Sequence, residues 1–257
     1  MSLLIDIHSH ILPGVDDGAE TIEDSLDMAR QATEEGIRTI VATPHHMNGA
    51  YINTKRDIGP KVEELNAHIK KAGIDLTVLP GQETRINGDM LEAIEVDDVL
   101  TINNTSYVFV ELPFDTVPRY TSQLLFDLQV TGYRPVIVHP ERNKQIQEDP
   151  DILYSFVKKG SFTQITAASL TGRFGKKNQK VSHQLIEANL AHIIASDAHN
   201  TKSRGFAMKD AYAEIEKKYG WSMVYYFQEN AEYLVDNQVL SAEPPKHVKK
   251  KKFLGLF

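Results

Sequence analysis

Short apolar runs alternate with amphipathic stretches along almost the whole chain, and most of the runs end in a histidine or a carboxylate. Residues 3–7, 38–42, 75–79, 107–110, 136–138, 162–166 and 191–195 are rich in Val, Ile, Leu, Tyr and Phe and read as strands. Between them lie helical patterns. The first opens at Thr21, where Asp24 three residues on makes a capping box with Asp in place of Glu. Its apolar positions are Ile22, Leu26, Ala29 and Ala32, and it stops near Gly36. Further helices are expected over about 57–72, about 121–130, from Pro150 to near Gly160, and over about 180–188. Helical or mixed segments follow at 206–219 and 223–235. Seven β/α-like units without an internal repeat in 257 residues predict one α/β domain. A TIM-like barrel of seven strands is the expected architecture, with a doubly wound open sheet as the alternative.

Composition narrows the chemistry. There is no cysteine, so disulfides, thiolate ligands and a thiol nucleophile are excluded, and His, Asp and Glu binding a hard or borderline metal remain. No apolar run approaches the roughly 20 residues needed to cross a bilayer, and no basic n-region precedes an apolar stretch at the N-terminus, so a cytoplasmic protein is expected. The net charge of −7 conceals an asymmetry, because residues 246–252 hold five lysines and no acid. Apart from these the balance is 23 basic to 35 acidic residues, and so acidic a body argues against nucleic-acid binding. Ala242-Glu-Pro-Pro marks an expected boundary between a folded body, residues 1–241, and a basic then apolar tail, residues 242–257.

The residues at the strand ends carry the functional reading. One histidine after a strand is more often a hydrogen-bonded structural residue than a ligand, and a lone glutamate is usually solvated. Here His8 and His10, His45, Glu83, Glu111, His139, and Asp197 with His199 all fall at C-terminal ends of expected strands. That is the face on which barrel enzymes assemble their sites. Residues two apart on a strand point to one side, so His8 with His10, and Asp197 with His199, can converge. The conjunction predicts a metal centre.

Asp-Ile-His-Ser-His-Ile-Leu-Pro-Gly-Val-Asp-Asp-Gly, Ala-Thr-Pro-His-His, Pro-Gly-Gln-Glu, Val-Glu-Leu-Pro, Val-His-Pro-Glu-Arg and Ala-Ser-Asp-Ala-His, in this order, resemble the polymerase-and-histidinol-phosphatase (PHP) superfamily. Within it, Val-Asp-Asp-Gly and His-Pro-Glu-Arg resemble the CpsB/CapC-type bacterial protein-tyrosine phosphatases, over roughly residues 3–236. The resemblance implies a PHP-type distorted (β/α)7 barrel and three divalent ions, Mn²⁺ foremost, with Fe and Zn²⁺ also compatible with such ligands. It implies that His8, His10, Glu83 and Asp197 hold one ion; that Glu83 bridges to a second completed by Glu111 and His139; and that Asp17, His45 and His199 hold the third. Asp16 and His46 are read as supporting residues beside ligands. Four carboxylates against three divalent ions leave a site of about +2, suited to a phosphate dianion. Arg142 and Arg204 are implied to bind the phosphate oxygens while an ion-activated water attacks phosphorus in line.

The implied activity is protein-tyrosine phosphatase, acting on phosphotyrosyl proteins that include a membrane-associated tyrosine kinase of capsule or exopolysaccharide synthesis. The tail offers peripheral membrane contact, with Phe253, Leu254, Leu256 and Phe257 beyond its lysines, or an oligomer contact; a solubilising tail is the plainer reading. Two other readings stay open. A small-molecule phosphatase of the histidinol-phosphate type keeps the metals and changes the substrate, and a non-catalytic regulator binds the kinase without hydrolysis. A nuclease is disfavoured by the acidic body.

Overall fold

The computed structural model describes residues 4–249. In chain order the elements are β1 (Leu4–Ser9), α1 (Ile22–Glu34), β2 (Ile37–Ala42), β3 (His45–His46), α2 (Lys55–Lys71), β4 (Thr77–Pro80), β5 (Glu83–Arg85), α3 (Met90–Glu95) and β6 (Tyr107–Glu111). There follow α4 (Thr121–Val130), β7 (Arg134–Val138), a 3₁₀ turn (Pro140–Arg142), α5 (Lys144–Glu148), α6 (Asp151–Lys158), β8 (Phe162–Thr166), α7 (Ala167–Leu170), α8 (Lys176–Glu187), β9 (Ile193–Ala195), α9 (Met208–Tyr219) and α10 (Trp221–Val235).

All strand pairs are parallel and form two sheets, β1-β2-β4 and β3-β5-β6-β7-β8-β9. Two short strands not expected from the sequence, β3 after β2 and β5 after β4, bring the seven expected strands to nine. β2 stops at Thr43-Pro44 and resumes as β3, since proline has no N–H for the ladder. β4 stops at Gly81-Gln82 and resumes as β5. A Cβ on Gly81 would lie 2.6 Å from Val41 Cγ1, so only glycine allows this approach of neighbouring strands. Gln82, fully buried, leaves the ladder and replaces it with side-chain bonds: Nε2 donates to Asn53 O (2.5 Å), and Oε1 accepts from Leu100 N (3.0 Å) and Thr84 Oγ1 (2.7 Å).

The end of β1 meets the segment after β9. Asp197 N donates to His8 O (2.9 Å) and His10 N to Ala198 O (2.8 Å). Beneath this seam the buried Asp6 accepts from Ser196 N (2.9 Å) and Ser196 Oγ (2.5 Å). Strand alternation sorts the core as a barrel requires. Ile7, Tyr107, Phe109, Val136, Val138, Ile193 and Ala195 cluster together, while Val108, Val110, Ile137 and Ile194 pack into the larger cluster with the helices. Tyr107 Oη closes the bottom, donating to Gln238 O (2.6 Å) and accepting from Leu240 N (3.0 Å).

Residues 242–249 run back along the body. Lys246 N donates to Ala188 O (2.8 Å), Asn189 Nδ2 to Pro244 O (2.9 Å), and His247 Nδ1 pairs with Asp151 Oδ1 (2.7 Å). Lys250, Lys251, Lys252, Phe253, Leu254, Leu256 and Phe257 lie outside the described residues. Among the described residues no helix is long and apolar enough to cross a membrane.

One core histidine sets a pH dependence. His192 is 1% exposed, and burial pushes it down to about 4 from the usual 6.5. Its Nδ1 accepts from Thr163 N (3.1 Å), so the neutral ring belongs to the folded state. The unfolded chain binds this proton more readily, so the stability it contributes is complete above pH 6.5 and is lost as pH falls towards 4. In urea unfolding of chelated protein, wild type should lose about 3 kcal/mol more than His192→Asn between pH 7 and 4. Parallel losses in the two proteins would contradict this.

Candidate metal centre

Every sequence-predicted ligand reaches one end of the barrel. β1 presents His8 and, one residue past its end, His10, with ring centroids 5.5 Å apart. His45 on β3 is the register partner of Glu83 on β5. Glu111 ends β6, and His139 follows β7 directly. Asp197 and His199 follow β9, and Asp17 comes from the loop after β1. His139 (φ 36°) and Asp197 (φ 54°) both sit in the left-handed region. Each such residue costs about 1–3 kcal/mol, tolerated where the surrounding contacts fix the chain.

Glu83 and Asp197 are the hubs. Glu83 Oε2 lies 3.3 Å from His8 Nε2, 3.3 Å from His10 Nε2 and 2.9 Å from His45 Nδ1, while Oε1 accepts from His139 Nε2 at 2.6 Å. Asp197 Oδ1 lies 3.3 Å from His10 Nε2 and 3.6 Å from His8 Nε2. Asp17 Oδ1 stands 3.4 Å from both His45 Nε2 and His199 Nε2. Three groups have ligand atoms within 4.8 Å of one another: His8, His10, Glu83 and Asp197; His10, Asp17, His45 and His199; and His45, Glu83 and Glu111. The last takes His45 beside the two glutamates, and His139 reaches Glu83 through its other oxygen.

The donor set fits metal ions. His8 Nε2, His10 Nε2, His45 Nδ1, His199 Nε2 and Glu83 Oε2 are all buried without a hydrogen-bond partner, which is costly for polar atoms in a folded core. The other ring nitrogens of three of these histidines are engaged: His8 Nδ1 with Gln164 Oε1 (3.0 Å), His10 Nδ1 with Asp16 Oδ2 (2.7 Å) and His199 Nδ1 with Asp197 O (2.9 Å). Such outer partners fix the tautomer and aim the free nitrogen inwards. The field is cation-seeking. Burial lowers His45, but Glu83 and Asp17 outweigh it and raise the ring to about 10. Burial and the Glu83 charge push Glu111 up to about 7 against the pull of His45 and Arg85. His139 goes down to about 4, through burial and then Arg142. Asp197 is held well below the carboxylate range because Arg142, the histidines and their hydrogen bonds outweigh its burial.

Both predicted arginines converge on this end. Arg142 Nη1 pairs with Asp197 Oδ2, and Arg204 reaches Asp197 Oδ2 (3.2 Å) and Asp17 Oδ2 (3.5 Å). Both line a cavity of about 180 Å³ with His45, Arg85, Glu111 and His139. Asp16 and His46 take no place in the three groups. Asp16 braces His10 and accepts from His45 N (3.0 Å) and Gly18 N (3.0 Å). A Cβ on Gly18 would stand 2.1 Å from His10 O, which explains the glycine after the two aspartates.

Several residues were missed from sequence. Arg85 grips Glu111 with two bonds (2.9 and 2.8 Å), and its signal was its position two residues after Glu83 on one strand face. Phe174 lies under the Arg142 guanidinium, 5.3 Å from ring centroid to carbon, with no sequence signal. Glu141 is fully buried and accepts from Thr166 N (3.0 Å) and Ser169 Oγ (2.7 Å), anchoring the turn that carries His139 and Arg142. Gln164 is fully buried in the middle of β8. Gln164→Leu should weaken divalent-metal affinity about 10- to 100-fold with the fold retained, by metal titration and circular dichroism. Unchanged affinity would show that the Gln164–His8 bond does not orient a ligand.

Comparison with known proteins identifies the family. The family model for capsular polysaccharide synthesis, CpsB/CapC, matches residues 4–236. Tyrosine-protein phosphatase YwqE of Bacillus subtilis (strain 168) is 49% identical over 254 residues, spanning 99% of this chain and 100% of its own. The putative tyrosine-protein phosphatase CapC of Staphylococcus aureus is 40% identical over 256 residues, spanning 98% and 100%. Among solved structures, a chain from those of YwqE from Bacillus subtilis and CpsB from Streptococcus pneumoniae, described as unique metal-dependent tyrosine phosphatases, superposes with a TM-score of 0.94 at 49% identity over 96% of this chain and 100% of that one. A phosphotriesterase homology protein from Escherichia coli shares the fold alone, with a TM-score of 0.58 at 11% identity over 90% and 98% of the chains. With the family model covering nearly all of the described residues and full-length relatives at this identity, the chain belongs to the CpsB/CapC family.

Proposed function

We propose that this chain is a metal-dependent protein-tyrosine phosphatase using three divalent ions, Mn²⁺ foremost, held by His8, His10, Asp17, His45, Glu83, Glu111, His139, Asp197 and His199. The observation that carries the reading is the set of five buried, unpartnered ligand atoms facing one another beside two arginines. Ions bound there supply an activated water and neutralise phosphate charge. The chain's own residues do the rest. Arg142 and Arg204 bind and orient the phosphate oxygens, and Asp197 holds both guanidiniums in place until they do. Arg85 keeps Glu111 aligned and offsets the burial that favours its protonated form. A phenolate leaving group, of pKa about 10, asks less of a general acid than an alkoxide does. The barrel-end position of all these groups excludes bulk water from Glu83 and Asp197, which are 0% and 2% exposed.

Histidinol phosphate is the competing substrate, since it would use the same ions. Hydrolysis of a phosphotyrosyl peptide at a kcat/KM at least tenfold above that for histidinol phosphate supports the tyrosine reading; the reverse order replaces it.

On this reading the partners are phosphotyrosyl proteins, among them a membrane-associated tyrosine kinase, and the chain acts in the cytoplasm. Residues 1–241 form the catalytic body. Residues 242–257 carry five lysines in sequence, a composition suited to an anionic membrane surface where each is worth roughly 1 kcal/mol. Lys246 is fixed beside the end of α8 by its bond to Ala188. Deleting residues 250–257 should reduce sedimentation with phosphatidylglycerol vesicles; equal sedimentation removes the membrane role.

A further inference from the structure

We propose that Phe114 is the surface that receives the aromatic ring of the substrate, making it the residue that separates aryl from alkyl phosphate esters. The inference rests on the phosphatase reading above and names what its leaving group meets. The cavity beside the metal groups is lined by charged and polar side chains on the side of Arg142, Arg204, Glu111 and Asp197. Its apolar lining is concentrated in one tripeptide, Leu112-Pro113-Phe114, directly after the ligand Glu111. Phe114 is 58% exposed and packs into no core cluster, so its ring is free to meet a bound molecule in the cavity it lines.

The loop that displays it is held rigidly to the segment after Arg142. Asn143 Nδ2 donates to Pro113 O (2.7 Å) and Thr116 O (3.0 Å), Lys144 N donates to Phe114 O (3.0 Å), and Val117 N donates to Gln145 Oε1 (2.7 Å). The turn carrying the phosphate-binding Arg142 and the loop carrying the exposed ring are therefore one pre-organised unit. In an aryl phosphate the ring is bonded directly to the bridging oxygen, so phosphate held by Arg142 and Arg204 places that ring in the same cavity. Aromatic pairs at centroid separations of about 4.5–7 Å are favourable beyond their buried area. A phosphoseryl side chain has only a methylene at this position.

The probes are phenylphosphonate and methylphosphonate, which keep the phosphoryl oxygens and cannot be hydrolysed, titrated calorimetrically into the full chain loaded with Mn²⁺. Phe114→Ala should weaken phenylphosphonate about three- to tenfold and leave methylphosphonate within about twofold, while Phe114→Tyr retains the wild-type preference. The exposure of Phe114 leaves the core intact in these variants. Lys144 Nζ, 5.5 Å from the ring centroid and 2.6 Å from Asp115 Oδ1, gives the alternative role: a ring that only steadies Lys144. In that case Phe114→Ala changes both ligands equally or neither, and the inference is overturned. Wild type that binds inorganic phosphate and methylphosphonate without favouring the phenyl group also overturns it, leaving the phosphatase reading intact. Wild type that binds no inorganic phosphate removes both.

Discussion

Glu83→Gln is expected to lower the bound divalent metal by at least one ion per chain and to reduce phosphotyrosyl hydrolysis about a thousandfold or more. The change keeps the side chain's shape and removes only its charge, so circular dichroism should show an unchanged fold. The size follows from geometry. Glu83 Oε2 faces His8, His10 and His45 within 3.3 Å, and Oε1 meets His139, so one carboxylate serves two of the three ligand groups. A neutral amide cannot bridge two cations, and loss of metal-based charge stabilisation is worth several kcal/mol in the transition state. Wild-type metal content together with activity within tenfold of wild type would contradict the placement of Glu83 at the centre.

Arg142→Lys should separate phosphate recognition from metal binding. The substitution keeps the positive charge next to Asp197 but loses the planar fork and its stacking over Phe174. Loss of about 100-fold or more in kcat/KM is expected, with metal content unchanged, comparable to removing one oriented donor from a transition-state oxyanion. If lysine serves nearly as well, Arg142 contributes only charge, and bidentate binding of the phosphate is wrong.

How much of this was legible in the sequence differs by kind of residue. The proposed ligands other than Asp17 stood out because histidines and carboxylates are rare close after apolar strands; Asp17, on the loop after β1, came only from the family resemblance, and all of them gather at one barrel end. The capping box at Thr21 was equally legible, since it depends on two residues three apart: Asp24 N donates to Thr21 Oγ1 (3.2 Å) and Thr21 N to Asp24 Oδ2 (3.0 Å). The face that α1 buries was less so. Ser25 and Met28 are buried with Ala29 and Ala32, while Leu26 is half-buried, because Ser25 Oγ finds a partner in Ile11 O (2.7 Å) and tolerates the core. Hydropathy alone cannot register such a satisfied hydroxyl.

The breaks at Pro44 and Gly81-Gln82 were hidden because the short strands beyond them, His45–His46 and Glu83–Arg85, are polar and show no strand pattern. They matter for the site, since they allow β3 and β5 to place His45 and Glu83 as register partners. The short helices α3, α5 and α7 were missed because four to six residues carry too little periodicity to detect. Arg85, Gln164, Glu141 and Asp6 escaped for a shared reason: each is a single polar residue whose partner lies far along the chain. Asp6 with Ser196 joins the first strand to the last, and burial pushes its carboxyl up to about 6 against those hydrogen bonds.

The most direct test of the central claim is release of phosphate from a phosphotyrosyl peptide by the Mn²⁺-loaded chain, beside a chelated sample and a phosphoseryl peptide. The structure predicts rapid release from phosphotyrosine with metal, loss of that activity on chelation, and little release from phosphoserine. Release that persists in fully chelated, folded protein, or no release from either peptide when metal is bound, would contradict it.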